Sequence, residues 1–139
     1  MRWPLVSLLV VALLAPGCSG GSLEARSHLP VVRVTERDFR ISAPTRVAAG
    51  DVLLSAHNAG PDEHELVVIR AETPNLPLRS DGITVDEEGV GPSLVGVIEP
   101  YAPNSIETLQ IHLSPGRYEF ICNMSGHYLG GMHTSVVVG

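Results

Sequence analysis

Short runs of apolar and β-branched residues recur along most of this chain, and Gly or Pro stands where each run stops. The runs at 31–34, 39–42, 51–57, 65–70, 106–113, 118–122 and 134–138 read as strands. Turn signals lie between them, among them Ala49-Gly50-Asp51, Asn58-Ala59-Gly60-Pro61 and Ser114-Pro115-Gly116. Alternation is clearest where Leu109, Ile111 and Leu113 share a face opposite Gln110 and His112, which predicts one buried and one wet side. No helical period of convincing length competes. Short antiparallel strands in this number predict an all-β sandwich.

Residues 71–101 break the rhythm, being rich in Pro, Gly and acids as in Asp86-Glu87-Glu88-Gly89. A structureless segment that long is uncommon in a compact domain, so the insertion is expected to carry a short helix or an extra strand, with 94–98 the candidate. The chain start has a different pattern. Arg2 precedes an apolar run from Leu5 to Leu14 that is too short to span a bilayer as a helix and reads as a secretory signal. Leu14-Ala15-Pro16-Gly17-Cys18-Ser19 follows and resembles the lipobox of bacterial lipoproteins, whose cysteine is lipidated and becomes the mature N-terminus. Ala15 stands where that motif usually has leucine, which keeps ordinary signal-peptidase cleavage as the alternative. The expected organisation is a signal peptide over 1–17, a flexible tether over 18–28 built around Gly20-Gly21-Ser22, and one domain over 29–139. The location expected from this is the bacterial cell envelope, with the domain held to a membrane through lipid on Cys18.

With 139 residues in all, the chain has room for one core and no second folding unit. The formal charge is −6 and there is no lysine, so no basic run is dense enough to track phosphates and nucleic-acid binding is excluded from the reading. The two cysteines would ordinarily suggest a disulfide in an exported protein. If Cys18 carries lipid, Cys122 is alone, and a lone thiol in an oxidising compartment calls for an occupant such as a metal.

The segment Ile121-Cys122-Asn123-Met124-Ser125-Gly126-His127-Tyr128-Leu129-Gly130-Gly131-Met132-His133 places Cys, His and Met in sequence between two expected strands. His64 lies just past a turn at the head of another. Together they supply one thiolate, two imidazoles and a thioether. Each alone has a plainer role: a surface histidine, a buried cysteine, a core methionine, a solvated loop histidine. Their joint spacing favours copper, because thiolate and imidazole suit both of its oxidation states and a weak axial thioether tunes the potential. Structural zinc sites carry more thiolates in paired short spacings. His28, His57 and His112 are expected to face solvent, His133 to point away from the site, and Met124 to pack over it. No Ser-His-Asp, phosphate-cradling or paired-carboxylate arrangement stands out, so no enzyme activity is expected.

On these motifs the chain resembles the cupredoxins, or small blue copper proteins. The C-x4-H-x4-M spacing is similar to that of rusticyanin and its relatives, and within that group the sequence looks closest to sulfocyanin-like proteins. The resemblance takes in Asn58-x-Gly60 before His64-Glu65-Leu66-Val67-Val68, Pro115-Gly116-Arg117-Tyr118 entering Cys122, and the Gly131-Met132 step. It implies a Greek-key β-sandwich with a long insertion loop before the ligand-loop hairpin. It also implies one copper ion held by His64, Cys122, His127 and Met132, and single-electron transfer with unidentified donor and acceptor proteins. In several cupredoxins an asparagine follows the first histidine ligand and tethers the ligand loop; here Glu65 stands there, and Asn58 or Asn123 is the candidate for part of that role. His127 would serve as the electron port, with Tyr128, Leu129, Gly130 and Gly131 forming its apolar rim, and the protein would be a monomer. The rival readings are a copper-handling protein for storage or delivery, which Met124 and His133 would serve, and a metal-free recognition module.

Overall fold

Alternation of buried and more exposed positions in the first strand continues beyond Val34, through Thr35 to Glu36, and the strand continues with it. The computed structural model of the protein describes residues 28–139, so the expected signal segment, Cys18 and most of the expected tether lie outside the described residues. The strands are β1 (Val31–Arg37), β2 (Arg40–Ser42), β3 (Arg46–Val47), β4 (Gly50–Asn58), β5 (His64–Arg70), β6 (Leu94–Tyr101), β7 (Ile106–Leu113), β8 (Gly116–Ile121) and β9 (His133–Val138). One short helix, α1 (Glu87–Val90), and a single 3-10 turn, Gly91–Ser93, precede β6. Each run read as a strand forms one, within a few residues at its ends. The two-residue β3 carries no signal of its own and exists through its parallel pairing with β9.

The strands form two sheets, ordered β2-β1-β4-β7 and β3-β9-β8-β5-β6. Val32 and Val34 of β1, Val52, Leu54 and Ala56 of β4, and Ile111 and Leu113 of β7 point into the space between the sheets. Leu66 and Val68 of β5, Tyr118 and Phe120 of β8, and Val136 and Val138 of β9 meet them from the other side. This is the all-β sandwich that the pattern predicts, with alternation as its cause.

The insertion, expected to carry a short helix or an extra strand, carries both, α1 and β6. It also covers the outer face of the second sheet, where Val67, Ile69, Val85, Ile121 and Tyr128 form a second buried cluster with Leu76, Val90, Leu94 and Val97 packed against it. That explains why β5 reads as an unbroken apolar run, Leu66 to Ile69: both of its faces are buried. Asp86 caps α1 by accepting from the Gly89 N–H at 3.0 Å, so that acid in the segment closes a turn.

Candidate metal centre

Strands β5 and β8 are antiparallel neighbours with Val67 opposite Ile121, so the start of one lies beside the end of the other. His64 opens β5 and Cys122 directly follows β8, which brings both to the same end of the sandwich. The following loop folds back on itself. His127 N–H donates to Met124 O at 2.9 Å, Met132 N–H to His127 O at 3.0 Å, and Cys122 N–H to Met132 O at 3.0 Å. These bonds carry His127 back to the cysteine and deliver Met132 to the mouth of β9.

The Cys122 sulfur lies 3.4 Å from His127 Nδ1 and 3.9 Å from His64 Nδ1. The three donor atoms lie within 4.8 Å of one another. The two imidazole rings sit edge to face, 5.3 Å between centroids. His64, Cys122 and Met132 are fully buried, and Met132 shares the main core cluster with Cys122. The Glu65 N–H donates to the Cys122 sulfur at 3.4 Å. Burial pushes the Cys122 thiol up to about 11, with the Glu65 and Met124 N–H groups pulling the other way. Burial, then the neighbouring His127, lowers the pKa of His64 and keeps its ring neutral and available as a donor. Two imidazole Nδ1 atoms facing one sulfur, with a buried thioether close in the chain, make a donor set that fits one copper ion.

Other residues singled out in the sequence take different places. Asn58 is buried and stabilises the turn before His64: its Oδ1 accepts from Gly60 N–H at 3.0 Å, and its Nδ2 donates to Asp62 O at 2.8 Å and Tyr101 O at 3.1 Å. Asn123 ties the insertion to the ligand loop, accepting from Val85 N–H at 2.7 Å and donating to Val85 O at 3.1 Å and to Glu87 at 2.6 Å. Glu65 contributes its backbone to the sulfur, while its side chain is pushed up to about 7 by burial and by Glu87 and Glu99. Tyr128 is a correction. It is no part of an exposed rim but is buried beneath the insertion, where its hydroxyl donates to Pro74 O and accepts from Leu76 N–H at 3.1 Å.

His133 faces away from the cluster as expected, but it is half-buried, with Nδ1 3.6 Å from Glu119 Oε2 and its ring 5.3 Å from that of Tyr128. Met124 packs against the main core. His28 is exposed, His112 is exposed and bonded to Asp51 at 2.8 Å, and His57 is half-buried on β4.

Phe39 was not singled out from the sequence. It occupies the turn between β1 and β2 at φ 58° and is 54% exposed, with its ring edge-on to His127 at 5.5 Å. A Cβ on Gly130 would meet that ring at 2.2 Å, so only glycine lets the turn close over the loop. The signal available was a bulky aromatic in a strand-to-strand turn, which the pattern alone assigned to the strand.

The sulfocyanin (SoxE) domain matches residues 34–139, which take in the whole of this centre. The chain belongs to the sulfocyanin family. Its fold is that of the cupredoxins, seen in solved structures at low identity. Dithionite-reduced auracyanin from Roseiflexus castenholzii is 16% identical with a TM-score of 0.60, over 78% of this chain and 96% of that one. Auracyanin A from Chloroflexus aurantiacus, described as a blue copper protein, is 14% identical with a TM-score of 0.58, over 78% and 98%. Rusticyanin from Thiobacillus ferrooxidans is 16% identical with a TM-score of 0.53, over 78% and 77%. No curated protein matches this sulfocyanin-family chain. The His64-Cys122-His127 cluster with Met132 fits a single type 1 copper site.

Proposed function

We propose that this chain is a mononuclear type 1 copper electron-transfer protein of the cell envelope, without enzymatic activity of its own. The observation that carries the reading is the approach of two imidazole Nδ1 atoms to one buried cysteine sulfur, at 3.4 and 3.9 Å. Bound there, copper would supply a one-electron couple. His64, Cys122, His127 and Met132 would hold it, and the Glu65 N–H would take up part of the charge on sulfur. The sandwich sets the position of each donor before metal binds, which keeps rearrangement between oxidation states small.

His127 is the outermost of the three clustered donors, the other two being buried. Phe39 and Leu129, 54% and 53% exposed, stand with Gly130 and Gly131 around it as an apolar rim suited to brief docking of a redox protein. His133 is engaged by Glu119 and Tyr128 on the far side of β9, so it adds no donor at the site for the storage or delivery reading. The envelope location rests on the apolar run from Leu5 to Leu14 and on Cys18.

The deciding experiment is visible absorption and electron spin resonance of the protein with one equivalent of Cu(II). An intense band toward the red end, from sulfur-to-copper charge transfer, with narrow copper hyperfine splitting is the expected result. A pale, tetragonal signal would reject the reading. For the anchor, labelled palmitate is expected on the wild-type protein and absent from Cys18→Ser; equal labelling of both would remove Cys18 from the proposal.

A further inference from the structure

The turn that carries Phe39 also carries Asp38, and Asp38 reaches the back of His64. Its Oδ1 lies 3.4 Å from His64 Nε2. The carboxylate is 34% exposed as a whole, yet that oxygen is buried, and neither it nor Nε2 has a partner in hydrogen-bond geometry. A His64 ring that offers Nδ1 to a metal must carry its hydrogen on Nε2. Left without an acceptor, a buried N–H of this kind costs about 1–3 kcal/mol. Oδ1 is the carboxylate oxygen placed to accept it.

The backbone around this contact is built to admit it. A Cβ on Gly60 would lie 2.8 Å from both Asp38 Oδ1 and His64 Nε2, so the missing side chain leaves the space in which the two meet. Gly60 is held there by its N–H to Asn58 Oδ1 at 3.0 Å, and Ala59 N–H donates to Glu36 O at 2.8 Å, which fastens the turn to β1.

We propose that Asp38 is a positioning residue for the metal centre: it holds the Nε2–H of His64, orients Nδ1 toward Cys122, and biases the site toward divalent copper through its negative charge. The inference rests on the copper electron-transfer reading and deepens it. A carboxylate behind a ligating histidine raises the basicity of the ligand and favours the more highly charged metal, so the contact lowers the reduction potential.

The test compares wild type, Asp38→Asn, Asp38→Ala and Gly60→Ala. Each is assayed for the red-end absorption band, for Cu(I) and Cu(II) affinity by chelator competition, and for exchange of the His64 Nε2–H by NMR of the Cu(I) form. Asp38→Asn is expected to keep the band and to shift the balance of affinities toward Cu(I) by about tenfold. For a one-electron couple that equals a rise of about 59 mV. In Asp38→Ala the Nε2–H is expected to exchange more than about tenfold faster. Gly60→Ala is expected to shift both readouts in the same direction with the carboxylate intact, which loss of a remote surface charge would not do. Intact bands with affinities and exchange unchanged across the variants would overturn the role of Asp38 alone. A wild-type protein without the band would sink the copper reading and this inference with it.

Discussion

Replacing Cys122 by serine is expected to abolish the intense red-end band of the copper-loaded protein and to cost it most of its affinity for Cu(I). The thiolate is the soft anionic donor in the cluster, and both imidazole Nδ1 atoms face it, at 3.4 and 3.9 Å. A serine hydroxyl in the same place is neutral at ordinary pH and hard, so the two imidazoles and the thioether would be left to hold the ion. The fold is expected to survive. Cys122 is fully buried within the main core, and a hydroxyl of similar size there would cost about 1–3 kcal/mol, with the Glu65 N–H still at hand as a donor. Absorption titration with Cu(II) and competition with a Cu(I) chelator, with circular dichroism as the check on folding, measure the effect. Retention of the band would remove Cys122 from the centre. Because burial raises the wild-type thiol to about 11, metal binding must displace its proton, and affinity should increase with pH throughout the neutral range.

The contribution of one buried carboxyl to the stability of the metal-free protein is expected to fall as pH rises from about 5 to 8, opposite in sign to that of His64, whose lowered pKa lets folding gain as pH rises toward 6.5. Glu36 is that carboxyl. It follows Val32 and Val34 on the inward face of β1, is fully buried, accepts a hydrogen bond from the Tyr101 hydroxyl, and has an Oε1 with no partner. Burial, partly offset by that hydrogen bond, raises its pKa from 4.5 to about 7. The folded state therefore holds the proton across a window in which the unfolded chain has released it. This contribution is fully present below 4.5 and is lost as pH passes through about 7. At about 1.4 kcal/mol per pH unit, the loss amounts to about 3 kcal/mol. Glu65 acts in the same window with the same sign, and its part exposure reduces its share. Urea unfolding of metal-free wild type and Glu36→Gln at pH 5 and pH 8 measures this. The variant should lose clearly less stability between the two pH values, and equal losses would contradict the assignment.

The same residue shows where sequence reading stopped short. Alternation carried through Thr35 points Glu36 inward, but a charged residue at a core position reads as the end of a strand, and only its contact with Tyr101, 65 residues away, explains its place. Phe39 and Asp38 were hidden for a related reason. Both lie in a turn distant in sequence from the ligand loop, and they meet His127 and His64 only because β1 pairs with β4, which leads into the turn before His64. Tyr128 illustrates the converse. Its neighbours in the chain suggested an exposed rim, whereas its side chain is claimed by a loop whose path no local pattern revealed.

By itself the sequence determined the strands other than β3, the placement of one donor at the start of β5 and three around the β8–β9 loop, and the softness of that donor set. These follow from periodicity, from turn residues and from side-chain chemistry, all of which act over a few positions. Tertiary structure decided which histidine nitrogen faces the sulfur, which backbone N–H reaches it, what lies behind His64, and which residues surround His127. Those depend on the register of β5 against β8 and on the packing of the insertion and the β1–β2 turn, contacts between segments far apart in the chain whose side chains carry no local signal of one another.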